Sequence, residues 1–133
     1  MKIKITKEFE VDPKIAHVII LLNDKGYKTD FCCSGHPEEL FKDAIYNGVP
    51  LYHMGTYVSF KNKKLMTDCP DNWFLFDNGS IYRFFTQEEI DIFRLDQLID
   101  LAMKELLNFA KKLPPIVNEY DNLYEEIKYE IIE

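Results

Sequence analysis

Leu95, Leu98, Ile99, Ala102, Leu106, Phe109, Ala110 and Leu113 recur at the three- and four-residue spacing of a single helix face. Asp100, Lys104, Glu105 and Lys111 stay off that face, and Pro114-Pro115 follows directly. A helix with so broad an apolar stripe must be covered by another element, and proline, which lacks an N–H and clashes with the preceding turn, ends it. Whatever else the chain builds has to offer an apolar surface about five turns long. Thr86 and Glu89 have the three-residue offset of a capping box, which places a helical start near Gln87. A second stripe, Ile15, Val18, Ile19 and Leu22, is widened by Ala16, Ile20 and Leu21. It stands between Asp12-Pro13, a starting signal, and Gly26, a left-handed stop, and predicts a helix from Pro13 to Lys25.

The covering surface has to come from the segments of period two. Ile3, Ile5 and Phe9 alternate with polar neighbours, as do Tyr27, Thr29, Phe31 and Cys33, and Val58 and Phe60 within Thr56 to Lys61. Trp73 to Phe76 and Ile81 to Phe85 flank Asp77-Asn78-Gly79-Ser80, where Asn-Gly between apolar runs signals a hairpin. The expected fold is α+β: a sheet of about five strands, antiparallel or mixed, with two amphipathic helices packed on one face. Residues 1–115 are expected to form one domain. Residues 116–133, with six acids against Lys128, form an acidic segment docked on it. Tyr120, Leu123, Tyr124, Ile127 and Ile131 suit a helix there, while Ile127, Tyr129 and Ile131 suit a strand, and the helix is favoured. Pro37 to Met54 keeps no period and reads as a long excursion able to cover a site, opening with a short helix at Pro37 to Phe41.

Charge narrows the partners. The chain of 133 residues carries 16 Lys and Arg against 23 Asp and Glu, a net charge of −7, which argues against nucleic acid as the main partner. No apolar run approaches the ~18 residues of a membrane span. An odd number of cysteines behind Met1-Lys2-Ile3-Lys4, which is no apolar leader, points to a cytoplasmic location. Aromatic residues make up 14% of the chain, more than one small core absorbs, so the hairpin with Trp73, Phe74, Phe76, Tyr82, Phe84 and Phe85 is expected to be core plus a protein interface, a homodimer among the options.

One cluster concentrates reactive groups: Cys32-Cys33-Ser34-Gly35-His36, at the end of the Tyr27 to Cys33 strand. Alternation puts Cys33 on the core side and Cys32 on the polar side. Three chemistries are open. Cys33 and His36 could act as nucleophile and base, an oxyanion resting on the amides around Ser34 and Gly35. They could hold zinc or iron with His53 and Cys69, but no Cys-x-x-Cys or His-x-x-x-His pair supports this, and the expectation is neither metal nor cofactor. Or Ser34 and Gly35 could bind an anionic ligand, helped by charge from His36 or from Arg83, which faces with Ile81 and Phe85 and is expected to reach solvent from an edge strand. The leading expectation is a binding or interaction protein whose small ligand or partner meets this turn, and the alternative is an enzyme using Cys33 and His36.

The run Gly26-Tyr27, Thr29 and Cys32-Cys33-Ser34-Gly35-His36, followed by the aromatic strand Tyr57 to Phe60, resembles a family of small proteins from clostridia and related Gram-positive bacteria, often encoded in phage-like or mobile regions. That resemblance implies a cytoplasmic location and carries no established activity. Thr29, Cys33, Ser34 and Gly35 are also similar to the Ser-Ser-Cys-Ser-Gly-Arg segment of the tRNA wybutosine-synthesis methyltransferase family, with Cys32 in place of a Ser and His36 in place of the Arg. This second likeness implies a SAM-linked RNA-modification relative, against which the acidic charge weighs.

Overall fold

A computed structural model describes residues 5–46, 48–116 and 125–131, with only the backbone described for 5–11, 41–46 and 125–131. The fold is α+β. In chain order come β1 (Ile5–Val11), α1 (Ala16–Asp24), β2 (Thr29–Cys33), a 3-10 turn (Pro37–Glu39), β3 (Phe41–Tyr46), β4 (Val49–His53), β5 (Tyr57–Phe60), β6 (Trp73–Leu75), β7 (Ile81–Arg83), β8 (Phe85–Thr86), α2 (Gln87–Ile92), α3 (Leu95–Lys112) and β9 (Glu125–Ile131). The central sheet is antiparallel with order β2-β5-β7-β6, so it has four strands where about five were expected. The others are divided between β3-β4-β8 and the pair β1-β9.

The two apolar stripes meet the inner face of the central sheet. Ile15, Val18, Ile19 and Leu22 from α1 and Leu98, Ile99, Ala102, Leu106 and Ala110 from α3 form one core with Val58, Phe60, Trp73, Ile81 and Phe85. Each fully buried Val, Leu, Ile or Phe side chain among these contributes about 1.5–3 kcal/mol. The helix ends are tied together. Gly26, at φ +99°, turns the chain out of α1, and an added Cβ there would lie 2.6 Å from the Ile116 carbonyl oxygen, so glycine is required twice over. Lys25 Nζ donates to the carbonyls of Ala110, Lys111 and Leu113, and the Tyr27 hydroxyl donates to that of Pro114. A cation thus satisfies the exposed carbonyls where Pro114-Pro115 stops α3.

Several boundaries differ from the sequence expectation. Asp12 caps a turn ahead of the helix: its Oδ1 accepts from the Lys14 amide and its carbonyl from the Ile15 amide, and α1 begins at Ala16. The Thr86–Glu89 capping box forms, but extended backbone at Phe93 and Arg94 separates α2 from α3. Of Pro37 to Met54, the short helix expected at its start is the 3-10 turn Pro37–Glu39, and the rest is the β3-β4 hairpin and not an aperiodic excursion. A register shift between Lys42 and Ala44 scrambles its alternation, and Gly48 takes φ +79° in the turn. The helix favoured for the C-terminal segment is overturned: Glu125–Ile131 is a strand parallel to β1, with Lys7 opposite Ile127, Phe9 opposite Tyr129 and Val11 opposite Ile131. Its partner lies at the other end of the chain, where local periodicity cannot reveal it. Ile3, Tyr120, Leu123 and Tyr124 fall outside the described residues. Among the described residues no helix is long and apolar enough to cross a membrane.

Candidate functional site: the turn after the second strand

Tyr27 and Thr29 point inward, 6% and 2% exposed, as the alternation requires. The register of β2 on β5 then shifts between Thr29 and Phe31. One extra residue, Asp30, is accommodated there, and its Oδ1 accepts from the Phe31 amide at 2.9 Å. Because side chains alternate with period two, the bulge inverts everything after it. Phe31 is 67% exposed. Cys32 stands opposite Val58 and packs against the core, while Cys33 stands opposite Tyr57 on the outer face. The expected assignment, Cys33 inward and Cys32 outward, is therefore reversed.

The chain folds back directly after Cys33. Ser34 is buried and its hydroxyl donates to the Asp12 carboxylate; the His36 amide donates to the Met54 carbonyl at 2.7 Å. Gly35 has φ +127°, and a Cβ on it would lie 2.5 Å from Thr56 Oγ1, so the bend admits no other residue without displacing Thr56. Cys33 Sγ consequently sits 3.2 Å from His36 Nε2. His36 Nδ1 lies 3.7 Å from Glu38 Oε1, with both side chains at least half exposed. Thiol, imidazole and carboxylate thus form a chain within six residues.

The electrostatics favour the protonated thiol. Burial pushes the Cys33 thiol up; the Gly35 amide, bonded to it, pulls the other way, and Asp12 and Glu39 add to the rise. Cys32 is pushed up to about 11, by burial first and then by Cys33 and Asp12. A protonated Sγ can donate to Nε2, which makes His36 the natural acceptor of its proton.

Ser34, Gly35 and Arg83 were the expected ligand-binding set. Ser34 is committed to Asp12, and Gly35 is packed against Thr56 and Ile99 at the bend, so both shape the turn. Arg83 does face with Ile81 and Phe85, but it does not reach solvent: it is 1% exposed. Its Nε and Nη2 donate to Glu105, its Nη1 and Nη2 to Glu89, its Nη1 also to the Phe84 carbonyl, and its guanidinium lies 4.6 Å from the Phe85 ring centre. With five N–H groups and five bonds, no donor remains for an outside anion. The four-residue metal set is not assembled either. Cys69 Sγ donates to the Trp73 carbonyl and His53 Nδ1 accepts from the Gly55 amide; among the described residues no three His, Cys, Asp or Glu side chains are grouped to hold a metal ion.

The sequence marks Phe74, Phe76, Tyr82 and Phe84 as an interface but does not place them, with Tyr57, as the outer wall of this site. Cys33, Tyr57, Tyr82 and Phe74 stand opposite one another on four successive strands. The Tyr57 and Tyr82 rings stack at 5.3 Å, Tyr82 and Phe76 at 4.6 Å, and Phe84 packs edge-on between Phe74 and His53. Phe76 remains 41% exposed. Alternation alone marks Tyr57 and Tyr82 as opposite in face to Val58 and Ile81; only the bulge reveals that Cys33 shares their face. Comparison with family models, with curated proteins and with solved structures finds no match to this chain.

Proposed function

We propose that the protein is a thiol-dependent enzyme that binds a small electrophilic ligand at the outer mouth of the turn, with Cys33 as nucleophile and His36 as general base. The observation that carries this reading is the 3.2 Å contact between Cys33 Sγ and His36 Nε2, held by a turn in which Ser34 and the His36 amide are hydrogen-bonded in place and Gly35 makes a bend that only glycine fits. As the S–C bond forms, the thiol proton passes to Nε2. The bond between the attacked carbon and its leaving group breaks at the same time, its electron pair departs with that group, which takes the proton from Nε2, and Glu38, 3.7 Å from Nδ1, would steady the imidazolium in between. The three cysteines, all free, suit a reducing compartment such as the cytoplasm.

A non-catalytic binding protein is the second reading, favoured by the burial and the carboxylates that keep Cys33 protonated. The pH dependence of alkylation by iodoacetamide separates the two. The enzyme reading expects Cys33 to react well below its own ionisation range, an advantage that disappears in His36→Ala. A rate that rises only as the thiol itself ionises, and that His36→Ala leaves unchanged, would establish the binding reading instead.

A further inference from the structure

Resting on the assignment of Cys33 as the reactive group, the geometry points to a ligand class: we infer that the site takes a flat aromatic electrophile that is neutral or cationic, its ring laid against the Tyr57–Tyr82–Phe76 wall. Two observations carry this. The first is adjacency. Tyr57 is the direct cross-strand neighbour of Cys33 and Tyr82 the neighbour of Tyr57, so a molecule whose reactive carbon meets the sulfur has half-exposed rings within one or two strand spacings, about 5–10 Å. The rings stack on one another with interplanar angles of 16° and 25°, leaving Phe76 41% exposed at the far end. They lie on the opposite side of the sheet from the core residues Val58 and Ile81; Tyr82 and Phe76 also pack against Phe84 there, and they are not part of that core.

The second is charge. Asp12 and Glu39 act on the Cys33 thiol, Asp30 acts on the Tyr57 hydroxyl, and Glu38 adjoins His36. The cations near this ribbon are engaged elsewhere: Lys14, whose amide donates to Asp12, pairs its ammonium with Asp100, Lys28 and Lys61 meet at the other end of β2 and β5, and Arg83 is buried beneath the sheet with Glu89 and Glu105. An anionic ligand would approach a ring of carboxylates, whereas a neutral ring pays no such penalty and a cation gains from both the carboxylates and the ring faces.

The test is competitive alkylation of the native full chain with three probes, iodoacetamide, N-phenyl iodoacetamide and iodoacetate, read at Cys33 by peptide mass spectrometry and normalised to free cysteine. Stacking of one ring predicts a preference for the phenyl probe over iodoacetamide of about two- to tenfold beyond that of free cysteine, with iodoacetate slowest. The preference should fall to the free-cysteine ratio in Tyr57→Leu, which removes the ring beside Cys33, and be reduced in Tyr82→Leu, the next ring of the wall. The free-cysteine ratio in the native chain, or a faster reaction with iodoacetate, would overturn the ligand class and leave the nucleophile standing. Inertness of Cys33 toward all three probes would remove the nucleophile and this inference together.

Discussion

The two faces of the central sheet are made from neighbouring residues on the same strands, yet they solve opposite problems. On the inner face Val58, Phe60, Ile81 and Arg83 are at most 1% exposed, and even the guanidinium has every donor occupied. On the outer face Cys33, Tyr57, Tyr82 and Phe74 are half-buried, Phe31 is 67% exposed, and a thiol and an imidazole meet beside them. The inner face is closed by helices and by charge pairing; the outer face is left open where its reactive groups are. The difference teaches that adjacent cysteines of identical chemistry are assigned opposite roles by backbone parity, and that the bulge at Asp30 sets that parity.

The inner face should break first. Arg83→Ala leaves Glu89 and Glu105 facing each other without their cation and should cost about 3–5 kcal/mol by urea denaturation. Burial alone would raise the Glu89 carboxyl, but its bonds from Arg83 and Thr86 outweigh this and hold it below the ordinary value of 4.5. Its stabilisation is therefore present above pH 4.5 and is lost as pH falls through the lower folded value, so the acid side of the stability profile should flatten in the variant. An unchanged profile would mean that the ion pairs do not form.

A smaller effect separates the cysteines. Cys32→Ser places a hydroxyl against the core and should cost about 1–3 kcal/mol, while Cys33→Ser on the outer face should stay within about 0.5 kcal/mol. The Cys32 thiol is raised from 9.0 to about 11. Its contribution to stability is complete below pH 9 and is lost as pH rises toward 11, because the unfolded chain ionises first. Cys32→Ala should soften that alkaline loss. Equal sensitivity at the two positions would contradict the assignment of faces.

Much of this was legible where a signal is local. The stripes of α1 and α3, the Pro114-Pro115 stop, the Thr86 capping box and the Asn78-Gly79 hairpin depend on neighbours within a few residues, and each is found in place. Cys33 and His36 were legible as a pair for the same reason. The failures share a different physics. The bulges at Asp30 and near Lys42–Ala44 each add a residue that costs a strand its period, although Asn47-Gly48 carries the same dipeptide that marks the other hairpin. Arg83 looked like an edge residue because its partners, Glu89 and Glu105, are on helices folded beneath the sheet. The strand at Glu125–Ile131 waits for β1, more than a hundred residues away.

The central claim, that the bulge turns Cys33 out toward His36 and Cys32 into the core, is tested most directly by site-resolved labelling of the native protein with iodoacetamide at neutral pH. Modification should appear at Cys33 first, with Cys32 protected until the chain is unfolded in denaturant. Labelling of Cys32 at a rate equal to or greater than that of Cys33 in the native state would restore uninterrupted alternation along β2 and contradict the account.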